Sequence, residues 1–372
     1  MGAGSVRIDG STLLLGEGVR IRFVRTLRLP ESGTHALPPG LGDFPLRRVE
    51  DYPDTVPPEW LAKGGVMLPV YLREAMWLSF GGTREPGALQ VGVGKVCAVS
   101  GERWTGRLAR TPQNYLVLPR QPWLDGINSG EGTVRQFVAV PLGLGATVEG
   151  QVTGEETTGG VQLQAFPLRA GALAAWRRAE EERLRAEQAR LRTALPQYGA
   201  GPPPGAPGAV GGYGGAVPMP MAAAPGGLPQ PGSAPRAAAA PVPAPAMGLG
   251  AGGSMHQEVY RDDRPLSDWD EEPAARVFVH LVTPPAWRRI TGEEAPPSPV
   301  DRAAYTRAGL PWFDYYDESG TDLAPAGPLG EVKPVGEWLG DDHTPWSEPV
   351  PGQIKPLGNA PRPGKPVQDG DW

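Results

Sequence analysis

The chain has 372 residues, 53 of them Gly and 46 Pro, with 40% apolar and 20% charged residues and a formal net charge of −6. Gly and Pro at that level lie far above ordinary usage, so only part of the chain can build a packed core. The acidic balance excludes a binder that grips nucleic acid through its phosphates alone, the single Cys97 excludes an internal disulfide or a cysteine-built zinc cluster, and no apolar run reaches the roughly 18 residues of a membrane helix.

The opening MGAGSVRIDGSTLLLGEGVRIRF has no basic stretch followed by an apolar core, and it carries Val6 where a myristoylation motif wants Ser or Thr. We therefore expect a soluble, cytoplasmic protein with neither secretory signal nor lipid anchor. From Val19 to Phe166 apolar residues alternate with period two, as where VRIRFVRTL sets Val19, Ile21 and Phe23 against Arg20 and Arg22. That spacing predicts strands there and in GVMLPVYL, EAMWLSF, LQVGVGKVCAV, NYLVLP, TVRQFVAVPL, TVEGQVTG and GVQLQAF. Stretches such as GGTREPG, DGINSGEG and TGEETTGG supply the turns between them. About eight short strands at this spacing predict a mainly β fold, a β-sandwich or jelly-roll core, over residues 1–166. One short helix is expected at PPEWLA, with Pro58 in its first turn.

Residues 167–196 change to AGALAAWRRAEEERLRAEQARLRTAL, a charged helix with i,i+4 pairs such as Glu181 with Arg185 and Arg183 with Glu187. Its apolar stripe of Leu173, Trp176, Leu184, Leu191 and Leu195 is thin, which predicts a solvated spacer. The alternative is contact with a protein partner, or self-association, through 171–253. Residues 197–253 are roughly three quarters Gly, Pro and Ala and are expected to be a disordered linker, because they cannot bury enough apolar surface to offset chain entropy. Order is expected again over 254–318, where ARVFVHLV is apolar on both faces and SPVDRAAYTRAG carries helix signals in Ser298, Pro299 and Gly309. A piece of about 65 residues is a marginal core alone. We therefore expect it to pack back onto the first β region, with the linker as an insertion and 319–372 as a mostly disordered tail anchored by Trp338 and Trp346.

Chemistry-bearing residues are few. In QPWLDGINSGEG, Asp125, Asn128 and Glu131 offer oxygens without the spacing of an EF-hand. Turn positions of positive φ are expected at Asp125-Gly126 and Ser129-Gly130, with Trp123 capping the core. In TVEGQVTG a strand would place Glu149, Gln151 and Thr153 on one face, making Glu149 the first candidate acid and Asp125 the second. Trp77, Trp104 and Trp123 are candidates for an aromatic ligand platform, with Asn128 beside it. Cys97 reads as a small buried hydrophobe and His280, between Phe278 and Val282, as a core histidine. No phosphate-binding glycine loop, esterase elbow or zinc-protease motif occurs, so neither cofactor nor metal is expected.

The segments ALPPGLGDFPLRRVEDY, REAMWLSF, QPWLDGI, RQFVAVPLG, TVEGQVTGEETTGGVQLQ and GLPWFDYYDE together resemble a family of hypothetical bacterial and fungal proteins. The resemblance spans both ordered regions and brings no activity with it; it implies only that the two belong together. The expectation for function is a non-enzymatic interaction or assembly protein, or alternatively a carbohydrate- or small-ligand-binding β-sandwich.

Overall fold

The computed structural model describes residues 6–194, 247–297, 306–307, 312–315, 322–323, 327–336 and 353–357. The protein is mainly β, built on two large mixed sheets. The larger runs through Val6–Asp9, Thr12–Leu15, Val19–Thr26, Ala75–Ser79, Thr133–Pro141, Met247–His256 and Thr34–His35. Gly40–Asp43, Trp123–Leu124 and Gly126–Gly130 pair at its flanks. The smaller runs through Val96–Cys97, Gly87–Val93, Val161–Pro167, Ala275–Val282, Val66–Pro69 and Arg47–Arg48, with Leu116–Leu118 beside Gly87–Val93. Period-two patterning explains the stacking. Ile21, Phe23, Leu78 and Phe137 of the larger sheet share one buried cluster with Leu89, Val91, Leu163 and Val279 of the smaller, each side chain stabilising the fold by roughly 1.5–3 kcal/mol.

The segment beyond the long helix lends a strand to each sheet. Met247–His256 lies antiparallel to Thr133–Pro141, from Pro141 opposite Met247 to Thr133 opposite His256. Ala275–Val282 sits between Val161–Pro167 and Val66–Pro69, antiparallel to the first and parallel to the second. The first of these strands begins inside 197–253, the span whose composition predicts a linker. MGLGAGGSMH is buried almost throughout, and its glycines are there because neighbouring chain comes too close for side chains. A Cβ at Gly253 would overlap the Pro30 carbonyl oxygen, and one at Gly250 would stand 2.7 Å from that of Ala146. Glycine here meets a packing demand, which a composition count cannot distinguish from low complexity.

Two other local expectations are corrected. TVEGQVTG is a helix, Val148–Thr153, started by the Thr147 hydroxyl accepting from the Gly150 amide and stopped by Gly154 at φ 77°. The alternation of Val148, Gly150 and Val152 over one short stretch fits either period, and the caps decide it. DGINSGEG is largely strand: Gly126–Gly130 pairs with Thr133–Pro141 through a bulge at Asn128 to Gly130. The positive φ falls at Gly132, at 65°, rather than at Gly126 or Gly130.

A second apolar layer covers part of the outer face of the smaller sheet. Helix Pro58–Lys63, with Pro at its start, and helix Pro284–Thr291, closed by Gly292 at φ 75°, bury Trp60, Trp287 and Ile290 against Met67 and Val282. Leu329 and Val332, within the stretch read as tail, join the main core, and Val335 packs with Ala75, Val138 and Val140. The helix expected over SPVDRAAYTRAG, apart from Thr306–Arg307, and the anchors Trp338 and Trp346 lie outside the described residues, as do the side chains of the strand Trp312–Tyr315.

By its contacts the chain divides into two compact units, Met1–Ala174 with Pro241–Trp372, and Ala175–Ala240. The long helix spans Ala170–Ala194. Arg183 pairs with Glu180 at 2.6 Å and Arg185 with Glu181 at 3.2 Å, while Leu184 and Leu191 are exposed.

Candidate functional site

The outer face of the smaller sheet is apolar at one end and polar at the other. Register places Gln164 opposite Gln90 on one side and Arg276 on the other, and Gln162 opposite Gly92 and Phe278. Their chain neighbours Val91, Leu163 and Val277 point into the core, so the pleat turns these polar side chains outward. Over one end lie the two short helices. There His280 is buried, stacks on Trp60 at 4.5 Å and meets the Gly64 carbonyl oxygen at 2.9 Å. Burial lowers its pKa to about 4, so it is a neutral core histidine.

The other end opens into a groove of about 500 Å³, with Gln162, Gln164, Arg276 and Phe278 in its lining. Lys63, at the end of the helix Pro58–Lys63, holds its ammonium 4.1 Å above the Phe278 ring. Burial lowers the pKa of that ammonium, opposed by the Glu149 carboxylate. Trp104 also lines the groove, its backbone amide held by the Lys95 carbonyl at 2.8 Å. Gly92 makes room for it, since a Cβ there would lie 2.6 Å from the indole ring and 2.6 Å from Gln162 Oε1. A smaller cavity of about 190 Å³, lined by Lys95, Arg103 and Thr158, shares Trp104 and Gln162 with the first.

Two features of this groove are chemically unusual. The amide oxygens of Gln162 and Gln164 are buried without a hydrogen-bond partner, and Gln164 is only 8% exposed. Gln90 beside them donates through Nε2 to the Arg107 carbonyl at 2.9 Å, yet its own oxygen is likewise unpartnered. Each such oxygen costs about 1–3 kcal/mol relative to a satisfied one. Charge is the second feature. Arg48, Lys63 and Arg276 line the larger cavity and Lys95 and Arg103 the smaller, while Glu50 is the one carboxylate among the described lining residues. Arg48 is held by Glu50 at 2.7 Å and Asp51 at 2.6 Å, and Lys95 by Glu155 at 3.2 Å.

Apart from Trp104, the candidate residues singled out from the sequence stand elsewhere. Trp77 and Trp123 meet edge to face at 6.5 Å, and Asp125 lies beside Trp123, its backbone amide donating to Gln257 Oε1 at 2.9 Å. Burial raises the Asp125 pKa to about 7, against hydrogen bonds from the Trp123 and Gln257 side chains, and one carboxyl oxygen has no partner. Asn128 is buried and donates to the Val99 carbonyl at 3.4 Å. Glu149, the first candidate acid, is buried on its helix and accepts from the amides of Thr158 at 3.2 Å and Gly159 at 2.9 Å. It clamps a loop. Cys97 is buried, its thiol donating to the Asn114 carbonyl at 3.3 Å. Among the described residues no group of three or more His, Cys, Asp or Glu is placed to hold a metal.

Of the groove's residues, Trp104 is the one that the aromatic-platform reading includes. The legible signal for the rest was the pair of glutamines two apart in VQLQAF and the matching Arg276 and Phe278 in ARVFVHLV. No helix among the described residues is long and apolar enough to cross a membrane. Searches against family models, curated proteins and solved structures find no match to this chain.

Proposed function

We propose that the protein is a non-catalytic binding module whose groove on the outer face of the smaller sheet takes a hydroxyl-bearing ligand of the carbohydrate class. The observation that carries this reading is the pair of unpartnered amide oxygens on Gln162 and Gln164, in a groove whose lining includes Trp104. These oxygens are closed to solvent as they stand, so a donating ligand reaches them only when the amides turn outward, and sugar hydroxyls donate. An indole beside them offers the flat apolar surface on which a pyranose face packs. The lining also speaks for binding over hydrolysis, because glycosidases set two carboxylates across the scissile bond and Glu50, tied to Arg48, is the one described carboxylate in this groove. On this reading the setting is the cytoplasm, where Cys97 stays reduced.

Thermal shift of the full chain against a panel of neutral and acidic oligosaccharides tests the reading. A sugar at a hundred times its Kd would stabilise the protein by about 2.7 kcal/mol, and Trp104→Ala or Gln164→Leu would abolish the shift. If no sugar moves the parent, or the variants respond as the parent does, the reading fails.

A second reading rests on the helix Ala170–Ala194, where Leu184 is 44% and Leu191 61% exposed, one heptad apart. It would serve a protein partner or a second copy. Light scattering on the chain with and without 175–240 tests it; deletion must stop short of Met247, where the strand begins.

A further inference from the structure

We infer that the ligand of this groove is an acidic oligosaccharide, its carboxylates set against Arg276 and Arg103 and its hydroxyls donating to Gln162 and Gln164. The inference rests on the carbohydrate reading above and adds the charge and the length of the ligand.

Charge comes first. The chain carries a net −6, yet the two cavities gather Arg48, Lys63, Lys95, Arg103 and Arg276 around a single described carboxylate, Glu50. Glu50 and Asp51, Glu155 and Glu149 offset Arg48, Lys95 and Lys63, so the positive excess that draws anions to the groove rests on Arg276 and Arg103. Three of the five cations have company: Arg48 in Glu50 and Asp51, Lys95 in Glu155, Lys63 in the face of Phe278. Arg276 and Arg103 are exposed and have no ion pair with a described residue, and a guanidinium fork matches a carboxylate in two parallel hydrogen bonds.

Length follows from the shared wall. Trp104 and Gln162 line both cavities, so a ligand filling both passes the indole and reaches Arg276 in one and Arg103 in the other. A short chain that spans both cavities can present one acid to each guanidinium group.

The floor discriminates among anions. Gln164 Oε1 is an acceptor in a side chain more than nine-tenths buried. A phosphodiester backbone presents acceptors along its length and leaves that oxygen unanswered, while a uronate chain supplies carboxylate at the rim and hydroxyl donors at the floor.

Titration calorimetry on the full chain, with a hexameric uronate, a neutral hexasaccharide and a single-stranded oligonucleotide as probes, tests the inference. The uronate should bind at least about tenfold tighter than the neutral sugar, and weaken with salt. Arg276→Gln and Arg103→Gln, both at exposed positions, should each lower uronate affinity more than neutral-sugar affinity and flatten its salt dependence. Equal affinity for the two sugars, or tighter binding of the oligonucleotide, overturns the inference. Equal sugar affinities would leave the carbohydrate reading standing, whereas binding of neither sugar would end both.

Discussion

Asp125→Asn should make the protein more stable at neutral pH and should erase a defined part of its pH dependence. Asp125 is 3% exposed, and burial is the largest cause of its shift from 3.8 to about 7. In the unfolded chain the carboxyl ionises near 3.8; in the native protein it keeps its proton until about 7. The native pKa is the higher one, so the favourable contribution of this group is complete below pH 3.8 and is lost as pH rises toward 7. Each unit within that window costs about 1.4 kcal/mol, and the interval of 7 minus 3.8 gives a total of about 4 kcal/mol, constant at higher pH. Asparagine has the same shape, never ionises, and can still accept from Trp123 and Gln257. Urea denaturation of parent and variant at half-unit steps from pH 4 to 8 isolates the effect, since Glu74 and Asp322, also raised by burial, titrate in both proteins and cancel in the difference. The variant should gain on the parent steadily between pH 4 and 7 and level off above it. A difference that does not change with pH, or a parent more stable than the variant at pH 8, would refute the reasoning.

Gly253→Ala should destabilise the fold by about 3 kcal/mol or more, because the new methyl would overlap the backbone carbonyl of Pro30, which cannot rotate away; the urea midpoint reads it, and a change under 1 kcal/mol would mean that the strand is not held against residue 30. Tyr115→Phe should cost about 1–3 kcal/mol by removing one of the donors to the buried Asp262 carboxylate, leaving Trp269 Nε1 at 2.8 Å, and the loss should vanish when Asp262 is already Ala. A protease nick between 197 and 246 should leave the two fragments associated through gel filtration, because the later fragment contributes Met247–His256 to one sheet and Ala275–Val282 to the other; separation into independently folded pieces would contradict the paired sheets.

The period-two pattern made the strands legible wherever one face met the core, as in Val19–Thr26, where Ile21 and Phe23 are buried and Arg20 and Arg22 are only partly so. It was misleading at Val148–Thr153, where six residues are too few to separate the two periods and the decisive signals were the cap at Thr147 and the stop at Gly154. It was silent at Met247–His256, where the glycines that let Pro30 and Ala146 approach have the same composition as a linker. The groove was harder still. Glu149 and Asp125 drew notice because carboxylates carry most acid–base chemistry, yet Glu149 is occupied in holding the amides of Thr158 and Gly159. Glutamine has no comparable prior, and what sets Gln164 apart is an oxygen without a partner, a property of three-dimensional surroundings and not of residue type.

The groove is assembled from both sides of the stretch between the long helix and Met247. Gln162 and Gln164 precede it and Arg276 and Phe278 follow it, and they face one another only because Ala275–Val282 pairs in register with Val161–Pro167. The same ladder sets Ala275, Val277 and Val279 into the main core beside Leu163. Alternation along one strand therefore ties the two roles together: each inward residue that stabilises the sandwich fixes the outward residue next to it, to within the stiffness of a β ladder. A one-residue slip would turn Arg276 and Phe278 into the core and Val277 into the groove, at the cost of a buried guanidinium. The strength of the core is thus what holds the unpartnered amides in place. A sheet with so many fully buried aliphatic side chains tolerates a few unsatisfied oxygens at roughly 1–3 kcal/mol each, and the groove keeps its shape because the sheet beneath it is held by that core.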